Sequence, residues 1–172
     1  MKEISYKELN INPVTIISDD WVELVTGCSG DKINAMTLSW GAIGSLWGHK
    51  SGMAVVTIYV RPQRFSKILL DKNDYFTLCF FNGKYKKELG YLGTHSGRDE
   101  DKISHVGFNT ITTENYSYIK EASMVIVCKK LYKQTMKEEC FLDKSIVSEH
   151  YPKKDFHDLY IAKIEKILIE GE

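Results

Sequence analysis

Met53-Ala54-Val55-Val56-Thr57-Ile58-Tyr59-Val60-Arg61-Pro62-Gln63-Arg64-Phe65-Ser66 is the stretch on which the fold turns. Its first eight residues are mostly β-branched or aromatic, the composition of a pleated, packed strand. The period then changes. Arg61-Pro62 ends the strand, and Pro62 suits the first turn of a helix, where its missing N–H leaves no bond unmade. Phe65, Ile68 and Leu69 follow at helical spacing, so a short helix is expected over 62–71, lying across a barrel end.

Working outward toward the C-terminus, Asp74 to Phe81 reads as another strand. Residues 83–107 have mixed periodicity and predict short helices broken by Thr94-His95-Ser96-Gly97. Met124 to Tyr132, continuing toward Lys137, is a long strand whose run Val125-Ile126-Val127-Cys128 is apolar throughout, as packing on both faces requires. Leu159 to Ile169 alternates and shifts phase near Lys163, which predicts a bulge. Toward the N-terminus, Asn12-Pro13 opens an expected extended run Val14-Thr15-Ile16-Ile17-Ser18, closed by Asp19-Asp20. Trp21 to Thr26 and Ile33 to Trp40 give two more strands around the tight turn Ser29-Gly30-Asp31-Lys32. A glycine-rich loop through Gly41, Gly44, Gly48 and Gly52, carrying Trp47 and His49, is expected next. No repeat or linker divides the chain, so one domain over 1–172 is expected. Six or more strands, short helices and no βαβ rhythm predict a mainly β fold, an antiparallel barrel closed or partly open.

Composition narrows the function classes. With 23 basic and 23 acidic side chains the formal charge is zero, and runs such as Lys84-Tyr85-Lys86-Lys87 read as solvated faces. Nucleic acid as a partner is therefore not expected. Cys28, Cys79, Cys128 and Cys140 form no Cys-x-x-Cys pair, and Cys79 and Cys128 sit in apolar runs as small hydrophobes. The N-terminus shows no signal-peptide pattern and no segment reaches the ~20 apolar residues of a membrane span, so a cytoplasmic protein without a membrane partner is expected. The histidines, His49, His95, His105, His150 and His157, lack metal-ligand spacing, so no metal is expected. No nucleophile-elbow, zincin, P-loop or dinucleotide fingerprint is present, and no catalytic side chain is assigned.

Three segments bring polar, glycine and aromatic residues to strand ends. In Asn34-Ala35-Met36-Thr37-Leu38-Ser39-Trp40-Gly41, alternate residues share a face, which makes either a half-polar strand or a row of small groups along a planar ligand. Arg61-Pro62-Gln63-Arg64-Phe65-Ser66 is either a capped helix with solvated arginines or a phosphate site built of guanidinium forks and backbone N–H groups. Ser96-Gly97-Arg98-Asp99-Glu100-Asp101-Lys102 is either a helix start or part of a polyanion pocket. His157-Asp158, just before the last strand, places an imidazole at a barrel rim.

Taken in this order, these segments resemble the flavin-reductase-like FMN-binding split-barrel family, which includes the flavoredoxins. The resemblance runs from Asn12-Pro13-Val14 through the three segments to His157-Asp158-Leu159-Tyr160-Ile161-Ala162-Lys163-Ile164. It implies an antiparallel Greek-key split barrel, a homodimer, and FMN in a groove between subunits. By that resemblance Met36, Thr37, Ser39 and Trp40 line the flavin ring and ribityl side, with Asn34 nearby. Arg61, Arg64 and Ser66 form the phosphate and ribityl end, Ser96, Gly97 and Lys102 close over the phosphate, and His157 approaches the ring from the partner. The implied activity is an oxidoreductase that passes electrons from NAD(P)H through FMN to a second acceptor, a small molecule or a protein. The alternatives are a flavoredoxin-like electron carrier reduced by a donor protein, and a flavin-binding protein without turnover. The chain departs from the family's pattern at Ala162-Lys163, where Gly-Glu is usual, and at Ser66, where Thr is common.

Overall fold

The computed structural model describes residues 1–48, 50 and 52–171, so His49 lies outside the described residues. In chain order the elements are β1 (Lys2–Ile4), α1 (Thr15–Ser18), β2 (Val22–Thr26), β3 (Asn34–Leu38), β4 (Gly41–Leu46) and β5 (Met53–Val60). Then come α2 (Phe65–Lys72), β6 (Tyr75–Phe80), α3 (Lys86–Thr94), α4 (Lys102–His105) and the small hairpin β7 (Thr110–Thr112) and β8 (Ser117–Ile119). The chain ends with β9 (Met124–Thr135), α5 (Ser145–His150) and β10 (Asp158–Ile169). No helix among the described residues is long and apolar enough to cross a membrane.

The main sheet is antiparallel in the order β3-β2-β6-β9-β10-β5-β4, with β1 added to the far end of β10. Its hydrogen-bonded ladder does not close: β3 and β4 are the ends of the order. Yet only Ser39 and Trp40 separate these two edges along the chain, so one short corner joins the two ends of the sheet. The paired strands β9 and β10 slip register twice, where Leu131 is the extra residue on β9 and Glu165 the extra one on β10. These bulges flank Lys163, where the alternation breaks, and they bend the sheet.

Strands β2 and β6 and the first five residues of β9, Met124 to Cys128, are covered on both faces. Leu24, Phe76, Leu78 and Ile126 point into the inner core, while Val25, Cys79, Val125 and Val127 point to a second core under α3, α4 and the β7–β8 hairpin. Each such aliphatic or aromatic side chain contributes about 1.5–3 kcal/mol when fully buried. That double burial is why the Val125–Cys128 run carries no polar residue.

Three expectations are corrected. Val14–Ser18 is not a strand. Asn12 Oδ1 accepts from the Val14 and Thr15 N–H groups at 3.0 and 3.4 Å, starting a helical turn that seats Ile16 and Ile17 in the inner core. The glycine-rich stretch after Trp40 is not all loop, because Gly41–Leu46 pairs along β5 as an exposed edge strand. The helix predicted over 62–71 begins at Phe65, because Arg61-Pro62-Gln63-Arg64 first closes a turn through Arg64 N–H to the Arg61 carbonyl at 3.1 Å.

Candidate functional site

Two adjoining cavities open beside the β3 edge and the Ser39-Trp40 corner. The first, about 320 Å³, is a slot lined by Met36, Thr37, Ser39, Trp40, Arg61 and His157, together with Leu38, Tyr59, Arg64 and Gly93. The second, about 180 Å³, is lined by Asn34, Ser66, Ser96, Gly97 and Lys102, with Gln63, Phe65 and Arg98 at its sides. Met36 and Arg64 line both and mark where the two meet. Every side chain singled out in the sequence as a ligand-binding candidate lines one cavity or the other.

The smaller cavity is rich in donors. Asn34 is buried at the start of β3, and its amide donates to Ser66 Oγ at 2.7 Å, in the first turn of α2. Lys32 donates to the Gly97 carbonyl and pins the turn that crosses the cavity. Gly97 is required by contact, not by φ. A Cβ there would overlap Asn34 Oδ1 and come within 2.8 Å of Asn34 Cγ and 3.2 Å of Phe65.

Arg64 and Lys102 also stabilise α3, whose last-turn carbonyls have no partner within the helix. Arg64 Nη2 donates to the Gly93 carbonyl at 2.7 Å, and Lys102 Nζ donates to the Leu92 and His95 carbonyls at 2.5 and 3.0 Å. Cations there also meet the negative end of the helix dipole. A guanidinium has five donors and an ammonium three, so each retains N–H groups for a ligand. Burial draws the Arg64 guanidinium below its ordinary value and brings the Lys102 ammonium down to about 8, Glu23 opposing both shifts.

Glu23 is the unexpected member. It lies on β2 opposite Thr37, fully buried, and its Oε2 has no hydrogen-bond partner. Its Oε1 contacts Thr37 Oγ1, which is also 2.5 Å from the Leu89 carbonyl. Burial outweighs the Thr37 bond and the Lys102 and Arg64 charges, pushing the Glu23 carboxyl up to about 8.

At the other end, Arg61 is placed in the slot and not in the smaller cavity. Its fork is held by Asp155 Oδ2 at 2.7 Å and the His150 carbonyl at 2.9 Å, and it lies over the Tyr151 ring. His157, expected to reach the ring from a partner, instead lines this chain's own slot; it is buried, with Nδ1 2.8 Å from the Tyr151 hydroxyl. Burial, with the Arg61 charge, lowers His157 to about 4 against the pull of Asp155, so the imidazole is neutral near pH 7. Trp40, 42% exposed, leans on His157 with ring centroids 5.0 Å apart and meets His150 edge-on at 5.5 Å.

Residues 20–172 match the model of the flavin reductase like domain. The chain belongs to the flavin-reductase-like domain family. No curated protein matches it in sequence. Among solved structures, flavoredoxin from Methanosarcina acetivorans is 19% identical with a TM-score of 0.63, over 99% of this chain and 76% of its own. An FMN-binding protein from Thermus thermophilus, solved with p-hydroxybenzaldehyde, is 17% identical with a TM-score of 0.67, over 99% and 83%. Flavoredoxin of Desulfovibrio vulgaris (Miyazaki F) is 16% identical with a TM-score of 0.65, over 99% and 78%. At these identities the likeness is one of fold.

Within this flavin-reductase-like domain, sequence reasoning passed over Tyr59 and Gly93 in the slot, Thr94 and His95 in the smaller cavity, and Glu23 and Tyr151, which bond to Thr37 and His157 behind them. Glu23 carried a signal, as the lone charge inside the run Trp21-Val22-Glu23-Leu24-Val25. Gly93 had none, since its need is contact: a Cβ there would sit 3.2 Å from the Thr37 side chain.

Proposed function

We propose that this flavin-reductase-like domain binds FMN across the two cavities and passes electrons from NAD(P)H to a second acceptor. The observation that carries this reading is the junction at Met36 and Arg64 between an aromatic-walled slot and a small donor-rich cavity. A planar ring needs the first and a phosphate dianion the second. The residues fit such a group. Arg64, Lys102, Ser66 and Ser96 converge on the smaller space, a donor set suited to a dianion.

When bound, FMN supplies the two-electron chemistry, and the protein supplies position and charge. Met36, Thr37, Ser39, Trp40 and His157 hold the ring end, with Arg61 bracing the wall behind them. Arg64, Ser66, Ser96, Gly97 and Lys102 take the phosphate end, and Asn34 orients Ser66 between the two. Neutral His157 offers the ring a hydrogen bond without adding charge. In this reading residues 1–172 form one cytoplasmic domain, the sheet is a Greek-key split barrel, and two copies pair.

The test is the visible spectrum of the purified protein with FMN, followed by NADH and then NADPH without oxygen. Prompt bleaching of a bound flavin supports the reductase. Two of the similar structures are flavoredoxins, which favours as second reading an electron carrier reduced by another protein. A bound flavin that stays oxidised under both nucleotides overturns the reductase and leaves that carrier and a flavin-binding protein without turnover. No bound flavin overturns both.

A further inference from the structure

A third cavity, about 640 Å³, is neither of the two above. It lies across the Ser39-Trp40 corner from the slot, and Ser39, Trp40 and Tyr59 line both spaces. Its other walls are Val14, just before α1, Ile17 from α1, Ala42 and Ile43 from β4, and Phe141 and Ile146 from the segment between β9 and β10. None of the described residues lining it is Lys, Arg, Asp or Glu. Its polar side-chain groups are hydroxyls (Ser18, Ser39, Tyr59 and Tyr151), the Trp40 indole N–H and the His150 imidazole.

This wall is built. Arg61 grips the segment between β9 and β10 through Asp155 and the His150 carbonyl and lies 5.2 Å over the Tyr151 ring. Phe141, Tyr151 and Phe156 pack together behind it, with centroids 4.9 to 5.7 Å apart. The volume is in the range of small-molecule sites, and apolar walls with a few hydroxyls are their usual lining. A phosphate-bearing ligand would lose its hydration here with no cation in return.

We infer that this cavity binds a neutral aromatic molecule of quinone size, the second reactant of the flavin site next to it. The inference rests on the proposed function and names its substrate class. For a quinone the step balances overall: NADH, one proton from solvent and the quinone give NAD⁺ and the quinol.

The test is equilibrium dialysis of the oxidised, FMN-loaded protein against 2-methyl-1,4-naphthoquinone and, separately, against 1,4-naphthoquinone-2-sulfonate, with no nucleotide present. The neutral probe is expected to bind roughly tenfold or more tightly than the sulfonate. Ala42→Trp, from an exposed β4 position that touches neither flavin cavity, fills the space and is expected to weaken the neutral probe roughly tenfold. FMN affinity, read from its own spectrum, is expected to stay within about twofold. Ile146→Glu, a charge set into the wall from an exposed helix position, is expected to act in the same direction. Equal binding of both probes, indifference to both substitutions, or a flavin-loaded protein that ignores the quinone overturns the inference. If the wild type excludes the quinone and Ala42→Trp halves the sedimentation mass, a second copy covers the cavity, which also overturns it. A protein that takes the quinone but no FMN leaves the cavity assignment standing and removes the proposed function instead.

Discussion

Thr37 Oγ1 carries one proton, while two acceptors, Glu23 Oε1 and the Leu89 carbonyl, lie within bonding reach. Both contacts are satisfied if Glu23 is the neutral acid, donating to Thr37, which then donates to Leu89. The raised carboxyl agrees, and it has a consequence for stability. The unfolded chain loses this proton near pH 4.5, whereas the folded chain keeps it to about 8. Between those limits the native state binds more protons, so stability falls as pH rises. Glu23→Gln is therefore expected to flatten the urea-unfolding profile between about pH 5 and 8 and to gain on the order of a few kcal/mol over wild type near pH 8. An unchanged slope would show that Glu23 is ionised in the fold. At Gly97 the expectation is opposite in sign. Gly97→Ala forces buried Asn34 away from Ser66, which is expected to cost about 1–3 kcal/mol of stability. In the same variant, flavin titration is expected to show FMN affinity falling roughly tenfold.

At the scale of elements, α2 presents its first turn to the smaller cavity while its far end is tied to the sheet by charge. Lys67 bridges Asp71 at 2.6 Å and Asp158 at 2.9 Å, and Lys133 bridges the same two carboxylates from β9. Thr135 and Tyr160 add hydroxyl donors at 2.6 and 2.7 Å. Burial would raise Asp71, but the Lys133, Lys67 and Tyr160 bonds outweigh it and bring the carboxyl down to about 2. A depressed carboxylate stabilises the fold above its ordinary pKa and loses that contribution as pH falls toward about 2. Asp158→Asn is expected to cost about 1.5–3 kcal/mol at neutral pH and to move the acid-unfolding midpoint upward. Circular dichroism along an acid titration reads both. On α1, Asn12→Ala removes the acceptor for two free N–H groups and is expected to cost about 0.5–2 kcal/mol, seen as a lower urea midpoint. The same turn shows why propensity misled there. Val14-Thr15-Ile16-Ile17 has strand composition, but the Asn12 cap and the burial of Ile16 and Ile17 decide the helix. By contrast, β5 and β10 were legible because period-two burial and β-branched composition agree, and β6 and β9 because burial on both faces leaves a nearly unbroken apolar run. Glycine-rich β4 was hidden because an exposed edge strand has no apolar face to advertise it.

For the whole molecule, the sequence order of three motifs was enough to gather the candidate ligand residues around two touching cavities. Their partition was not legible. Arg61 and Arg64 stand three residues apart, yet a tight turn sends one to the strap segment and the other to the foot of α3. Nor were the partners of Glu23, since its neighbour Thr37 meets the Leu89 carbonyl only when α3 packs on β3. The exposed β4 edge, Trp47 at 47% and Leu142 at 98% leave apolar surface to be covered, in keeping with the proposed pairing of two copies. Sedimentation equilibrium is expected to give about twice 19.8 kDa, and a monomer at micromolar concentration would remove the dimer from the proposal.

The Ser39-Trp40 corner is a shared partition. Because Ser39, Trp40 and Tyr59 line the slot and the large cavity alike, a change at any of them alters both spaces at once. Phe141 and Ile146 face only one. A lineage drifting toward a new reactant, or a laboratory selection for one, would thus find its freedom in the strap between β9 and β10 while the corner stays fixed.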